Sequence, residues 1–250
     1  MNLGMRRLKL IRKFFDFNPY ERGRWVETQA TAIPAGSRVL DVGSGSCPYR
    51  ACFSHCEYKA QDFAVLKPEQ ISGKSGYGNI DYISDVLSIP VGDKSFDVIL
   101  CTEVLEHVPE PIRALEEFAR IIKPAGKLLL TAPLGSGIHQ EPYHYYGGFT
   151  PFWYQEFMKK AGFEQVEIDA NGGFFKHYGQ ESIRFFRMTA PWKIGLGGVG
   201  RIAWSIIWLI LLPIWLFVLP VLCRILDPLD RDQGFTVGYH VVAHKAVDNR

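Results

Sequence analysis

Three groups of residues in this chain are spaced for chemistry: a glycine pair behind an apolar run, acids that recur downstream of it, and a late loop dense in histidine and tyrosine. In "VLDVGSGSCPYR" (Val39–Arg50) the apolar run enters Gly43-Ser44-Gly45, and Pro48 stands where a helix can begin. Glycines there let the backbone turn tightly and let a ligand approach without meeting a Cβ. Alone, such a pair serves a dinucleotide, a nucleoside or merely a tight turn. Asp62, about twenty residues on, falls where a carboxylate accepts both hydroxyls of a ribose. Asp85, in "SDVLSIP", can accept from an exocyclic adenine amine. One loop and two acids at successive strand tips describe a nucleoside pocket. Pro48 takes the place of the third glycine of G-x-G-x-x-G, which counts against a nicotinamide dinucleotide. Cys47, Cys52 and Cys56 are spaced C-x4-C-x3-C, which fits neither zinc-ribbon pairs nor a common iron–sulfur run. They read as small residues around a loop and its following helix, and no metal is expected.

The elements that must position these residues alternate. "SRVLDVG", "EYKAQDF", "IDYISD", "FDVILCTE" and "KLLLTAP" read as five strands, the fourth buried on both faces. "YRACFSHC" is helix-compatible, and "PIRALEEFARII" is an amphipathic helix with Ile112, Leu115, Phe118, Ala119 and Ile122 on one face. "KPAG" is a turn with Pro124 at its second position. "TPFWYQEFMKKAG" is a helix capped by Thr150, opened by Pro151 and closed by Gly162. "EQVEIDA" and an alternating "FTVGYHVVAHKA" complete the strands. This order implies right-handed βαβ units in an α/β, doubly wound sheet, with ligands at the carboxyl ends of the strands.

Motif by motif, the chain resembles the class I S-adenosylmethionine-dependent methyltransferases, in particular the type 11 methyltransferase domain group, over roughly Ser37–Ala170 plus the last strand. "LDVGSGS" looks like that family's first motif. "DVLSIPVGDKSFDVILCTEVLEHVPEP" looks like its D-x-x-x-L-P through E-V-L-E-H, and "IIKPAGKLLLTAP" like its L-K-P-G-G-x-L-x-x-x-x-P. The resemblance implies a Rossmann-like seven-stranded sheet with the last strand antiparallel, and S-adenosyl-L-methionine as cofactor. It further implies that Asp41, Gly43 and Gly45 line the methionine moiety, Asp62 the ribose, Asp85 with Val86 the adenine, and Thr102 with Glu103 the cofactor's open side. Cys47 and Ala125 depart from the family's glycines, and both are small.

Methyl transfer from a sulfonium is an in-line displacement in which the protein mainly aligns the reactants. An alcohol nucleophile also needs its proton removed, which a histidine near neutral pKa does well. "GIHQEPYHYYGGFTP" (Gly137–Pro151) follows the fifth strand and faces the substrate edge, making His144 and then His139 the candidate bases. His107, in "LEHVPE", reads as orienting a helix start.

The formal net charge of the 250-residue chain is +2, and no basic groove is evident beyond the N-terminus, so nucleic acid is not an expected partner. Five cysteines and no apolar stretch after the basic N-terminus point to a cytoplasmic, reducing compartment. Residues 1–25 form a basic segment in which "MRRLKLIRKFF" interleaves cations and large apolar residues, as surface-binding helices do. Residues 26–250 form the main domain, with an apolar insert at about 198–226. Its core, "IAWSIIWLILLPIWLFVLPVLC" (202–223), is uncharged and bounded by Arg201 and Arg224. At ~1.5 Å per residue it is long enough to cross a bilayer core of ~30 Å. A single crossing would put the last strand on the wrong side from its partners. The run is therefore expected to lie in plane, to bend back at Pro213 or Pro220, or to pack as a helical pair, with Trp204, Trp208 and Trp215 suited to an interface. Together these features anticipate a cytosol-facing enzyme attached to a membrane surface through 1–15 and 202–223. Its expected acceptor is small or lipid-linked: a glycan intermediate O-methylated, or alternatively a quinone or other lipid. A non-catalytic, cofactor-binding scaffold is the rival.

Overall fold

The computed structural model describes residues 17–71 and 76–247. The basic segment before Phe17, including 1–15, lies outside them.

Seven strands form one sheet: β1 (Arg38–Val42), β2 (Glu57–Asp62), β3 (Tyr82–Ile83), β4 (Phe96–Thr102), β5 (Ile122–Pro133), β6 (Phe163–Ala170) and β7 (Gly238–Lys245), in the order β3-β2-β1-β4-β5-β7-β6. β1 pairs in parallel with β2 and β4, β2 with β3, and β4 with β5. β7 runs antiparallel to β5, from Lys127↔His244 to Pro133↔Gly238. The N–H of Ala246 donates to the carbonyl of Gly162 at 3.0 Å, so the end of β7 meets the start of β6. The end of β6 and the start of β7 therefore share one end of the sheet. The strand order reverses direction between β1 and β4, the switch point at which such sheets open a crevice.

Two compact units are formed. One is Arg22–Asp169 with the chain from Gly238; the other is Ala170–Val237 with the described residues before Arg22. In the first, the central strands β1 and β4 and the second half of β5 are buried on both faces, as apolar runs under helices must be. Val39, Leu40, Ile99, Leu100, Leu129 and Val241 are fully enclosed. Helix α1 (Phe17–Thr31) contributes Val26 and Ala30 to the same core. Helix α2 (Pro111–Ile121) buries Ala114, Leu115, Phe118 and Ile121, a spacing that lies on one helical face. Ile112 lies outside that face and is 37% exposed, while Ile122 opens β5, so the face read from sequence is shifted. Lys123–Gly126 bulges out between the pairs Phe96↔Ile122 and Val98↔Lys127, with Ala125 left-handed at φ 59, so the expected turn is an interruption within β5. Helix α3 (Pro151–Lys160) is capped as expected, with Thr150 Oγ1 accepting from the Trp153 N–H at 3.3 Å. "YRACFSHC" forms no α-helix, only one 3₁₀ turn over Arg50–Phe53. Gly36 N–H takes the carbonyl of His55 and Glu57 N–H that of Ser37, which commits the chain to β2 at once.

The second unit holds helices α4 (Phe174–Met188), α5 (Gly198–Pro213) and α6 (Leu219–Leu226), the last two joined by a π-helical turn at Ile214–Val218. The apolar run does not bend back at Pro213 or Pro220. It continues as one helical stretch, Gly198–Leu229, long and apolar enough to cross a membrane by length and composition. Its antiparallel partner is α4. Gly173 and Lys176 donate N–H groups to Asp227 Oδ1 at 3.0 and 2.9 Å, closing open donors at the start of α4. Ser182 Oγ donates to the Trp215 carbonyl at 3.2 Å. At the other end the Trp208 and Trp204 indole N–H groups donate to the carbonyls of Phe186 and Thr189 at 3.1 and 2.8 Å. These two tryptophans staple the helix pair, and Arg224 pairs with Glu21 at 2.9 Å rather than standing free.

Candidate functional site

The glycine loop follows β1 at the switch point. Gly43 and Gly45 are both left-handed, at φ 64 and 51, a region L side chains enter at a cost. A Cβ on Gly43 would also press on the methyl groups of Val104, Cγ1 at 3.1 Å and Cγ2 closer. The tip of β2 fixes the loop. Ser44 N–H donates to the Gln61 carbonyl at 3.0 Å and Gly45 N–H to Asp62 Oδ2 at 2.8 Å, while Asp62 Oδ1 accepts from Ala64 N–H at 2.8 Å. Gln61 Nε2 in turn donates to the Ser84 carbonyl at 2.6 Å.

Asp62 is opposite Ile83 in the sheet register, and Ser84 N–H donates to its carbonyl at 3.1 Å. The two acids singled out from sequence are therefore brought to neighbouring strand tips. Asp62 is buried. Asp85 is exposed, with Oδ1 accepting from Leu87 N–H at 2.9 Å, and Val86 beside it is buried. Asp41, inside β1, is wholly enclosed and accepts the Tyr58 hydroxyl. Burial pushes the Asp41 carboxyl up to about 7, the negative charge of Asp62 adds to this, and the Tyr58 bond and Arg50 oppose it. The Arg50 guanidinium lies over the Tyr58 ring, 4.5 Å from its centroid.

Thr102 ends β4 and Glu103 follows it, left-handed at φ 54. Glu103 is tied at both oxygens: Oε1 accepts from Thr131 Oγ1 at 2.9 Å, and Oε2 faces Arg22 of α1 at 3.0 Å. Arg22 Nε also donates to the Tyr49 hydroxyl at 3.1 Å. In the sequence Arg22 is one cation in a basic stretch, and nothing in its neighbours marks it as the partner of an acid 81 positions away.

The loop after β5 turns back over the edge. Its Tyr145 and Tyr146 N–H groups donate to the Glu106 carbonyl at 2.9 and 3.2 Å, and Gln140 and Gln70 exchange side-chain bonds with the backbone around Gln70 and Glu141. Three imidazoles gather there: ring centroids are 4.7 Å apart for His107 and His139, 4.6 Å for His139 and His144, and 5.6 Å for His107 and His144. His139 is the near neighbour of both others, while His107 ends a 3₁₀ turn at Leu105–His107, its Nδ1 on the Tyr143 carbonyl. Burial, assisted by the two neighbouring imidazoles, pushes His107 down to about 4. His144, half-buried with Nε2 3.1 Å from Ser136 Oγ, is lowered by burial and by His139; His139 is exposed. Beneath them Glu106 is 1% exposed, and burial followed by the charge of Glu103 raises its carboxyl well above the usual range.

Residues 40–130 match the family described as "Methyltransferase domain". A ubiquinone biosynthesis O-methyltransferase from Xanthomonas oryzae pv. oryzae is 35% identical over 105 residues, 39% of this chain and 43% of that protein. A demethylmenaquinone methyltransferase from Renibacterium salmoninarum is 37% identical over 116 residues, 43% of this chain and 46% of that protein. The chain thus matches under half the length of these curated relatives. Among solved structures, the [4+2]-cyclase SpnF aligns with TM-score 0.52 at 17% identity, over 90% of this chain and 81% of that one. A SAM dependent methyltransferase from Archaeoglobus fulgidus aligns with TM-score 0.51 at 16% identity, over 89% and 94%. These structural likenesses carry the fold, and a fold alone does not name a reaction.

Proposed function

We propose, from a chain whose residues 40–130 match a methyltransferase-domain family, that this protein transfers a methyl group from S-adenosylmethionine to a small or lipid-carried hydroxyl acceptor. The observation that carries the reading is the left-handed glycine loop held by its N–H to the Asp62 carboxylate, one strand away from Asp85. A cradle that excludes a Cβ and ends in two acids fits an adenosyl group. When bound, that donor supplies a methyl already activated on a sulfonium.

In this reading Asp62 receives the ribose hydroxyls, Asp85 with Val86 receives the adenine, and Asp41 with Gly43 and Gly45 surrounds the methionine part. Thr102 borders the open side. Glu103 acts there by holding Arg22, and hence α1, against the loop. His144 takes the acceptor proton, with His139 as its neighbour and second choice. A base lowered below the ordinary histidine range stays neutral, and so able to accept, at physiological pH.

For the acceptor, a quinone precursor is favoured over a glycan: the two named relatives are quinone-pathway methyltransferases by name, and no glycan enzyme stands among them. An acceptor with a polyprenyl tail also suits attachment to the cytosolic membrane face. That attachment is drawn from helix Gly198–Leu229, on which Val199, Ile202, Leu209 and Ile210 are each at least 60% exposed. The test is to incubate membranes carrying the protein with methyl-labelled donor and to extract lipids. Label in the lipid phase supports the reading; label only in water-soluble products overturns the lipid acceptor. A calorimetric titration showing no donor binding overturns the enzyme altogether, while binding without turnover on any acceptor favours the scaffold.

A further inference from the structure

The histidine cluster holds more than a base needs. Glu106, His107 and His139 each present a ligand atom, and these atoms all lie within 4.8 Å of one another. Two independent features prepare them. First, both imidazoles are fixed by the same device. His107 Nδ1 is bonded to the Tyr143 carbonyl, and His139 Nδ1 to the Gly137 carbonyl at 2.9 Å. A carbonyl accepts only, so each Nδ1 carries the proton and each Nε2 keeps its lone pair. This is the orienting contact that metal-bound histidines make through their other nitrogen. Second, Glu106 is enclosed, its Oε2 has no hydrogen-bond partner, and its Oε1 lies 3.8 Å from His107 Nε2. A buried carboxyl oxygen without a partner costs ~1–3 kcal/mol, and a cation bound in place of the carboxyl proton would satisfy it.

We propose that Glu106, His107 and His139 form a binding site for one divalent first-row transition cation. Two imidazoles and one carboxylate are the donor set of open, reactive zinc-type sites, and their nitrogen content disfavours magnesium and calcium. With three protein ligands a coordination position is left for an acceptor oxygen. The use made of it rests on the methyl-transfer reading: a hydroxyl bound there loses its proton more readily, and His144, 4.6 Å from His139 ring to ring, is placed to take that proton. The cysteines at 47, 52 and 56 are not part of this group.

The test uses the untagged full chain, without donor or acceptor, so that a wrong acceptor assignment leaves it intact. Co²⁺ is titrated and followed by its visible ligand-field bands. The expected result is one equivalent bound, no near-ultraviolet thiolate charge-transfer band, displacement by Zn²⁺, and no displacement by millimolar Mg²⁺. His139→Ala alters an exposed loop side chain and should fold as the parent does, checked by thermal melting; it should weaken Co²⁺ binding at least tenfold. Glu106→Gln, which keeps the volume, should do the same. Undiminished binding in either folded variant, a thiolate band, or no cobalt binding at all would overturn the site.

Discussion

Replacing Gly43 by alanine tests the loop on which the donor site depends. Gly43 sits at φ 64, where an L residue pays ~1–2 kcal/mol. The new Cβ would also meet both methyl groups of Val104, an overpacking that typically costs ~1–3 kcal/mol. Together these predict ~2–5 kcal/mol of lost stability, and at ~2–4 °C per kcal/mol for a chain of this size the melting point should fall by roughly 4–20 °C. The two contributions are separable. Val104→Ala on the Gly43→Ala background removes the clashing methyls but leaves the backbone strain, so it should return only the packing share. The double-mutant cycle should then show a favourable coupling of ~1–3 kcal/mol. Differential scanning calorimetry reads the stability, and titration with S-adenosylmethionine reads the loop, with at least a tenfold weaker affinity expected for the single variant. A Gly43→Ala protein that melts within ~1 °C of the parent and binds the donor equally would refute the reasoning.

Asp62→Asn keeps the side-chain volume but removes the charge that holds Gly45 N–H. The loss of charge-assisted bonds worth ~1.5–3 kcal/mol should weaken donor affinity by ~10- to 100-fold in a calorimetric titration. If His144 is the base, the acidic limb of kcat/KM should lie below pH 6.5, because burial and His139 lower it, and the base works only when neutral. His144→Asn should abolish that limb, while His107, held at about 4, should add no further limb between pH 5 and 8. Leu209→Asp with Ile210→Asp changes two side chains that are 60% and 66% exposed. The pair should leave the melting point nearly unchanged and release the protein from vesicles in a flotation assay; retention on vesicles would argue against this face as the lipid contact.

The alternating elements and the strand tips were legible in the chain because short apolar runs ending in glycine or acid leave few choices. Gly43, Gly45, Asp62 and Asp85 could be picked from spacing alone, and the register Asp62↔Ile83 puts them on adjoining tips. The contacts that lock them were not legible, because they join residues far apart in number. Arg22 reaches Glu103, and Tyr58 reaches Asp41. Glu106 and His107 were hidden inside a motif, "EVLEH", whose charged letters look like a solvated turn until the loop at Ser136–Phe149 folds over them. Prolines misled in the opposite direction. Pro213 reads as a break, yet a π-helical turn at Ile214–Val218 absorbs it and the helix goes on. The tryptophans read as suited to an interface, and what the sequence did not show is that two of them also close the last carbonyls of a neighbouring helix with their indole N–H groups.

Because β6 ends where β7 begins, everything between Ala170 and Gly238 is a detour that starts and finishes at one doorway of the sheet. A detour of that kind can lengthen, shrink or change its grease without disturbing the pairing of a single strand. It can also be cut out: a short glycine-serine bridge from strand to strand should yield a smaller protein with the same sheet. Whether that smaller protein still floats with vesicles would then measure how much of the proposed lipid contact the detour carries.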